Sequence, residues 1–288
     1  PGVIRDVPSP LPARVGRVTF RALEPPPMHA PRSLKHEYEL YVEREIEEYK
    51  DSIPRAALLA IGDEAVATLR RQAQTTLTEM VLWEEVDRLI AARLRLPAYP
   101  TWRRRRLKLL AAMRQPERWG LTASNPIARE LRELSEGSEG EHVLVAGATD
   151  ESTAMYSAAL GCSVTAIAPE EDAVERVMSA ALAAGLGTRV RGCVGGLEEW
   201  APDVALRAVV CTPEAFSGLT PDARDQAISA LQSATLDGGV HLVQTIVAGT
   251  AALTLDELRA RYAGWRVSVE RTSAEAATFL ARKAPGGH

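Results

Sequence analysis

The chain has 288 residues, of which 46% are hydrophobic, so it is long enough for one large domain or two ordinary ones. Its formal net charge of −4 gives no overall attraction to phosphate backbones, so binding to nucleic acid would need a local basic patch. Its three cysteines have no metal-ligand spacing, and no apolar run approaches the roughly 20 residues of a membrane-spanning helix. We therefore expect a cytoplasmic protein without a bound metal or a membrane span.

Residues 1–33 are rich in proline, which removes backbone donors and disfavours helix at each preceding residue. After Pro1 the prolines are Pro8, Pro10, Pro12, Pro25, Pro26, Pro27 and Pro31. This composition predicts an extended arm, which is either free or lies along its own protein or a neighbour.

Residues 34–120 have the periodicity of amphipathic helices. The first helix has apolar residues at Leu34, Tyr38, Tyr41, Val42, Ile46 and Tyr49, with glutamates on its other faces. A second covers 55–72, where Gly62 and Asp63 predict a division into two short pieces. A third is ended by Pro97 and Pro100, and in a fourth Thr101 caps residues 102–114. The pattern predicts a small helical domain, or a helical extension packed on the carboxy-terminal half of the chain.

The fourth helix carries the main concentration of positive charge, Arg103 to Arg106 with Lys108. These cations could touch phosphates while Trp102 stacks on a base, which makes nucleic-acid binding one alternative. A solvated face that pairs with the acidic first helix, which carries Glu43 to Glu48, is the simpler interpretation. We expect a protein partner or a homo-oligomer through the arm and helices, rather than nucleic acid.

From residue 121 onward, apolar runs alternate with helical patterns, which predicts an α/β domain over 121–288 with a parallel sheet covered on both faces. Asn125-Pro126 opens a short helix before the first strand. The predicted strands are 142–147, 163–168, 189–194, 205–211 and 238–247, and the helices between them are 152–160, 170–184 and 221–234.

The end of the chain separates this pattern from other α/β folds. After a helix over 253–262, the strands 265–271 and 276–282 are joined by a short turn, so a hairpin adds an antiparallel strand to the sheet. In this order of elements the chain resembles class I S-adenosylmethionine-dependent methyltransferases, most closely a small bacterial branch with Gly-Trp before the penultimate strand and Ala-Arg-Lys at the end of the last. The resemblance covers about the last half of the chain and implies a Rossmann-like, seven-stranded fold.

The resemblance also implies a glycine-rich loop after the first strand, of the form V-L-D-x-G-x-G-x-G, where bare backbone approaches the cofactor. Residues 143–151 here are VLVAGATDE, which keep Gly147 but place Thr149 and Glu151 at the later glycines. The positional equivalents in the loop are Gly147, Ala148 and Thr149. Asp150 and Glu151 are better explained as an acidic helix start.

The family's acidic cofactor anchors are missing as well. Ala168 stands where an acid at the end of the second strand would hold the ribose, although Glu170 or Glu171 could substitute from slightly farther on. Gly196, followed by Leu197, stands where an acid near the adenine is expected. Hydrogen bonds to a charged group are worth about 1.5–3 kcal/mol, so each loss weakens cofactor affinity.

Two other residues are candidates for chemistry. Cys211 follows the fourth strand and His241 lies within the fifth, and we interpret both as core residues because no activating partner is evident. The leading hypothesis is therefore a degenerate methyltransferase-like pseudoenzyme that serves as a scaffold or interaction protein. The alternative is an active S-adenosylmethionine-dependent methyltransferase, with a divergent loop, that acts on a small molecule or protein.

Overall fold

The computed structural model describes residues 33–71, 78–136, 140–246, 253–271 and 276–285. The predicted proline-rich arm lies outside the described residues, apart from Ser33. Within these ranges, no helix combines the length and apolarity needed to cross a bilayer.

The amino-terminal region is helical, as its periodicity predicts. Its helices are α1 (Leu34–Ser52), α2 (Arg55–Arg71), α3 (Glu79–Arg93) and α4 (Tyr99–Met113), followed by a 3₁₀ turn at Pro116–Trp119. Helices α1, α2 and α3 share a small core of Ile46, Ile61, Ala65, Val86 and Ile90. Helix α4 packs beside α1, where Trp102 contacts Tyr38 at a ring-centroid distance of 5.4 Å.

Two predicted helix boundaries in this region are wrong. Helix α2 is not divided at Gly62 and Asp63, because Ile61, Ala65 and Leu69 bury one continuous stripe across that position. Helix α4 begins at Tyr99 rather than after Thr101, and Pro100 occupies its first turn. A proline fits there because its missing N–H would have had no helical acceptor.

The carboxy-terminal half forms one seven-stranded sheet. Its strands are β1 (His142–Ala146), β2 (Ser163–Ala168), β3 (Val190–Val194), β4 (Leu206–Cys211), β5 (Thr235–Ile246), β6 (Arg266–Arg271) and β7 (Ala276–Arg282). The spatial order is β3-β2-β1-β4-β5-β7-β6. The first five strands are parallel, and β7 runs antiparallel to both β5 and β6. This confirms the Rossmann-like methyltransferase fold with an antiparallel carboxy-terminal hairpin.

Helices cover both faces of the sheet. They are α5 (Pro126–Ser135), α6 (Ser152–Ala159), α7 (Glu171–Ala183), α8 (Pro221–Ala234) and α9 (Leu255–Arg261), with a second 3₁₀ turn at Pro213–Phe216. Successive side chains of β1 point to opposite faces of the sheet, so they belong to two separate core clusters. Val143 and Val145 pack on one face, and Leu144 and Ala146 pack on the other.

Strand β5 begins earlier than predicted, at Thr235 rather than Gly238. The register with β4 shifts between Leu206 and Ala208, so the glycine pair is an irregularity within the strand and not its start. Gly238 has φ +74°, a conformation that favours glycine. The remaining predicted strands and helices of this half agree with the structure to within two residues at each described end.

Candidate functional site

The predicted cofactor residues lie at the edge of the sheet where β1, β2 and β3 end. Strand β1 is flanked by β2 on one side and β4 on the other, so the connections diverge there. Crevices at such switch points are where open α/β sheets place their ligands. The fold therefore brings the sequence-predicted positions to one edge, and the local contacts decide what they can bind.

Gly147 is in the left-handed region with φ +70°, and its own chain fills the space against it. A Cβ at this position would clash with Thr212 Oγ1 and lie 2.5 Å from the backbone nitrogen of Ala215. The Thr212 hydroxyl also donates a hydrogen bond to the Gly147 carbonyl at 2.7 Å. Thr212 and the second 3₁₀ turn therefore fill the space that a side chain at position 147 would occupy.

The rest of the loop is used for internal hydrogen bonds. The Gly147 and Ala148 N–H groups both donate to the Ile167 carbonyl of β2, at 2.9 and 3.1 Å. The Thr149 carbonyl accepts from Arg176 Nη2 of α7 at 3.1 Å. Asp150 Oδ1 accepts from the Ser152 N–H at 2.8 Å, so this carboxylate binds the first amide of α6, while Glu151, the N-cap residue, makes no side-chain capping hydrogen bond.

Ala168, at the end of β2, is buried under the start of α7. Its side chain belongs to an apolar cluster with Ala173 and Val174, and only 1% of Ala168 is exposed. Glu170, by contrast, is exposed at the N-cap position of α7, and its side chain makes no capping hydrogen bond.

The turn after β3 holds the remaining predicted positions. Leu197 is buried in the core on the α8 side of the sheet. Gly196 is half-buried, and the Glu198 carboxyl group occupies the space where a Cβ would stand. An acid therefore does lie beside Gly196, but it comes from the loop after Gly196 rather than from β3 itself.

A depression of about 440 Å³ lies beside the loop of residues 147–151, between the N-cap of α6 and the polar face of α7. It is lined by Glu151, Asp172, Glu175, Arg176 and Ser179. None of these except Glu151 stands at a family motif position. The sequence had no signal for this depression because its residues match the polar face of an ordinary amphipathic helix.

Cys211 and His241 are both buried core residues, as interpreted from the sequence. Burial raises the pKa of the Cys211 thiol to about 12, so it is not a nucleophile at neutral pH. His241 lies between Thr235 Oγ1 at 2.7 Å from Nε2 and the Tyr262 hydroxyl at 2.6 Å from Nδ1. Because the Thr235 hydroxyl donates to the Leu231 carbonyl, it accepts from Nε2–H, and Nδ1 accepts from Tyr262.

The basic run of α4 lies beside the acidic helix α1, as the sequence interpretation predicts, but only Arg106 pairs with it. Arg106 pairs with Glu37 of that helix at 3.0 Å, one turn or more before Glu43 to Glu48. The others, Arg103, Arg104, Arg105 and Lys108, are exposed and have no acidic partner in the described ranges. The reason is helical geometry, since only the Trp102 and Arg106 side of α4 faces α1.

The Trp102 ring packs against three tyrosine rings. It contacts Tyr38, Tyr41 and Tyr99 with centroid distances of 5.4, 6.0 and 6.5 Å. The cluster holds α4 against α1, which disfavours the use of Trp102 as a stacking platform for a base. Among the described residues, no group of three or more His, Cys, Asp or Glu side chains is placed to hold a metal ion.

No protein-family model matches the sequence, and no curated protein matches it. Solved structures do match its fold. TehB from Haemophilus influenzae is 17% identical, with 54% of this chain and 62% of that chain covered and a TM-score of 0.45. This chain therefore spans less than two thirds of the TehB structure.

Two further matches have similar statistics. A TehB-like SAM-dependent methyltransferase from Corynebacterium glutamicum is 18% identical, with 65% of this chain and 99% of that chain covered and a TM-score of 0.44. The glycopeptide N-methyltransferase MtfA, complexed with sinefungin, is 15% identical, with 55% of this chain and 87% of that chain covered and a TM-score of 0.44. At these identities the likeness is one of fold alone.

Proposed function

We propose that this chain is a methyltransferase-like protein whose S-adenosylmethionine site is degenerate, and that it acts as a non-catalytic scaffold or interaction protein. The observation that carries the proposal is that neighbouring residues fill the space next to the Gly147 Cα atom. The resemblance assigns this glycine the role of letting the cofactor approach bare backbone, whereas here Thr212 and Ala215 occupy that side. A cofactor bound in the family's manner would have to displace the second 3₁₀ turn.

The ribose position supports the same proposal. A ribose anchor needs a carboxylate that faces the ligand, but Ala168 is apolar and lies under Ala173 and Val174. The residues present therefore do not fit the cofactor in the family's manner, and we derive no methyl-transfer step through it.

The test is isothermal titration of the full chain with S-adenosylmethionine and with S-adenosylhomocysteine. We expect no saturable binding tighter than about 1 mM, since several charge-assisted hydrogen bonds are missing. A dissociation constant in the low micromolar range for either compound would overturn the proposal.

One observation favours an active methyltransferase with a divergent loop as the second candidate. The exposed Glu170 carboxylate makes no capping hydrogen bond, so it is available to a ribose from slightly beyond the usual position. If micromolar binding is measured, the double variant Glu170→Gln/Glu171→Gln identifies its source. Loss of binding in that variant would replace the scaffold proposal with the active one.

A further inference from the structure

Strand β6 is one edge of the sheet, and no strand of the described residues pairs with its outer side. Its residues Arg266, Val267, Ser268 and Arg271 are exposed, so no described helix covers either face of this stretch. The unpaired N–H and C=O groups on such an edge form a template for another strand. The backbone and the side chains of β6 together specify which strand fits.

The backbone groups that face outward from β6 follow from the pairing of β7. The Lys283 N–H donates to the Gly239 carbonyl at 2.9 Å, so the backbone of Lys283 faces β5. Successive residues of a strand direct these groups to opposite sides, so the residue of β7 that lies opposite Ser268 faces β6. Ser268 therefore bonds to β7, whereas Val267 and Val269 direct their N–H and C=O groups to the open edge.

The side chains of this edge leave one charge uncompensated. Arg266 forms no ion pair with a described residue and lies directly opposite Arg282 of β7, an arrangement that destabilises a sheet when the charges are alike. Arg282 is itself paired with Glu130 at 2.6 Å. Glu270, on the same face of β6 as Arg266, pairs with Arg129 of α5, and its side chain is still 40% exposed. The edge thus carries a cation without an acid and an acid that is open to a second cation.

We infer that the partner of this edge is a second copy of the chain, with the two β6 strands antiparallel about a two-fold axis at Ser268. Outward-facing residues must oppose outward-facing residues, so the axis passes through a residue and not between two residues. With the axis at Ser268, Arg266 of each copy lies opposite Glu270 of the other. An axis at either neighbouring valine would place both charged residues opposite uncharged ones. The arrangement closes on itself and joins the two sheets edge to edge.

The same register also pairs the valines of the edge. Val267 is 38% exposed, and Val269 packs partly against the core on the α8 side of the sheet. In the dimer, Val267 of each copy opposes Val269 of the other, and the two pairs exchange about four main-chain hydrogen bonds. The six residues of β6 are fewer than the roughly 20–30 a side of a standard interface, so we expect a dissociation constant of about 10–100 µM.

This edge is separate from the loop of residues 147–151. That loop follows β1, and β4, β5 and β7 lie between β1 and β6 in the sheet. Self-association through β6 therefore does not depend on whether the chain binds S-adenosylmethionine.

The experiment is disulfide trapping of the full chain in a Cys193→Ser background, where the two remaining cysteines are buried. Ser268→Cys places two thiols opposite each other at a Cα separation of about 4.5 Å, which a disulfide can span. Arg271→Cys is the matched control, since its two thiols would be about 20 Å apart along the strands, at about 3.4 Å per residue. At about 100 µM chain and under mild oxidation we expect a covalent dimer for Ser268→Cys alone. Any other pattern overturns the inference.

Sedimentation velocity tests the same dimer without an added thiol. Between about 5 and 500 µM we expect the wild type to pass from monomer to dimer, and a monomer throughout would overturn the inference. Arg266→Glu opposes Glu270 of the other copy and should weaken the dimer about tenfold, although within its own copy it faces Arg282 and should not lower stability. Arg103→Glu makes the same charge change on α4 and should leave the dimer unchanged. Equal dimer affinity in these two variants would equally contradict the inferred register.

Discussion

Gly147 is held by two constraints that can be measured separately, a left-handed backbone and a filled side-chain position. Replacing it with alanine adds a Cβ that meets Thr212 and the backbone of Ala215. We expect Gly147→Ala to lower the free energy of unfolding by roughly 2–5 kcal/mol, from about 1–2 for the left-handed conformation and about 1–3 for overpacking. Urea denaturation measures this loss.

Gly218 provides the matched control, since it has φ +78° but an added Cβ would meet nothing within 4 Å. Gly218→Ala should cost only the conformational part, about 1–2 kcal/mol. Equal losses in the two variants would mean that the second 3₁₀ turn does not press on Gly147, and would remove the main support for a closed cofactor site.

His241 makes the stability of the protein depend on pH. Burial lowers the pKa of its imidazole to about 3, whereas the unfolded chain has the ordinary value near 6.5. As the pH falls below about 6.5, the unfolded state takes up a proton that the folded state cannot, so stability is lost progressively towards pH 3. The slope for one such group approaches about 1.4 kcal/mol per pH unit.

The check is urea denaturation of wild type and His241→Gln between pH 7 and pH 4. We expect the variant to be less stable at pH 7 but to have a shallower pH dependence. If the variant does not fold, the ¹⁵N chemical shifts of the His241 ring in the wild type replace it. A ring that is protonated at pH 5 would contradict the prediction.

At the scale of elements, local patterns predicted the sheet well because buried parallel strands are continuous apolar runs. The limits of β2 and α8, and those of β7, agree with the structure residue for residue. The second 3₁₀ turn was not predicted, since a single turn has no periodicity to detect. Its effect on Gly147 depends on a contact between residues 65 positions apart, which no local pattern records.

Helix α2 is continuous through Gly62 and Asp63, where the sequence alone predicts a break, because its buried stripe packs on the neighbouring helices. A glycine in a helix interior costs about 0.5–1 kcal/mol relative to alanine, and an added Cβ at Gly62 would meet nothing within 4 Å. Gly62→Ala should therefore raise the free energy of unfolding by about that amount. Thermal and urea denaturation measure the gain, and the reverse change at the exposed helix position Ala67, Ala67→Gly, should produce a similar loss. A destabilised Gly62→Ala would mean that α2 is interrupted at this position after all.

At the scale of the whole molecule, the helical region and the α/β sheet have separate cores joined by a narrow junction. Trp119 is central to it, because its Nε1–H donates to the Met113 carbonyl at the end of α4, at 2.9 Å. Its ring also packs, with Met113 and Leu121, against the core cluster on the α6 side of the sheet. Arg114 adds a hydrogen bond to the Gly185 carbonyl, at 3.1 Å.

We expect the wild type to unfold in one calorimetric transition, because this junction couples the two cores. Trp119→Ala removes both the hydrogen bond and the ring contacts, so it should split unfolding into two transitions, with the small helical core melting first because it buries less apolar surface. Trp83→Ala is the matched control, since Trp83 is 50% exposed on α3 and contacts neither large core. It should leave a single transition. Two well-separated transitions in the wild type would mean that the helical region and the sheet fold independently, and that Trp119 joins them without coupling their stability.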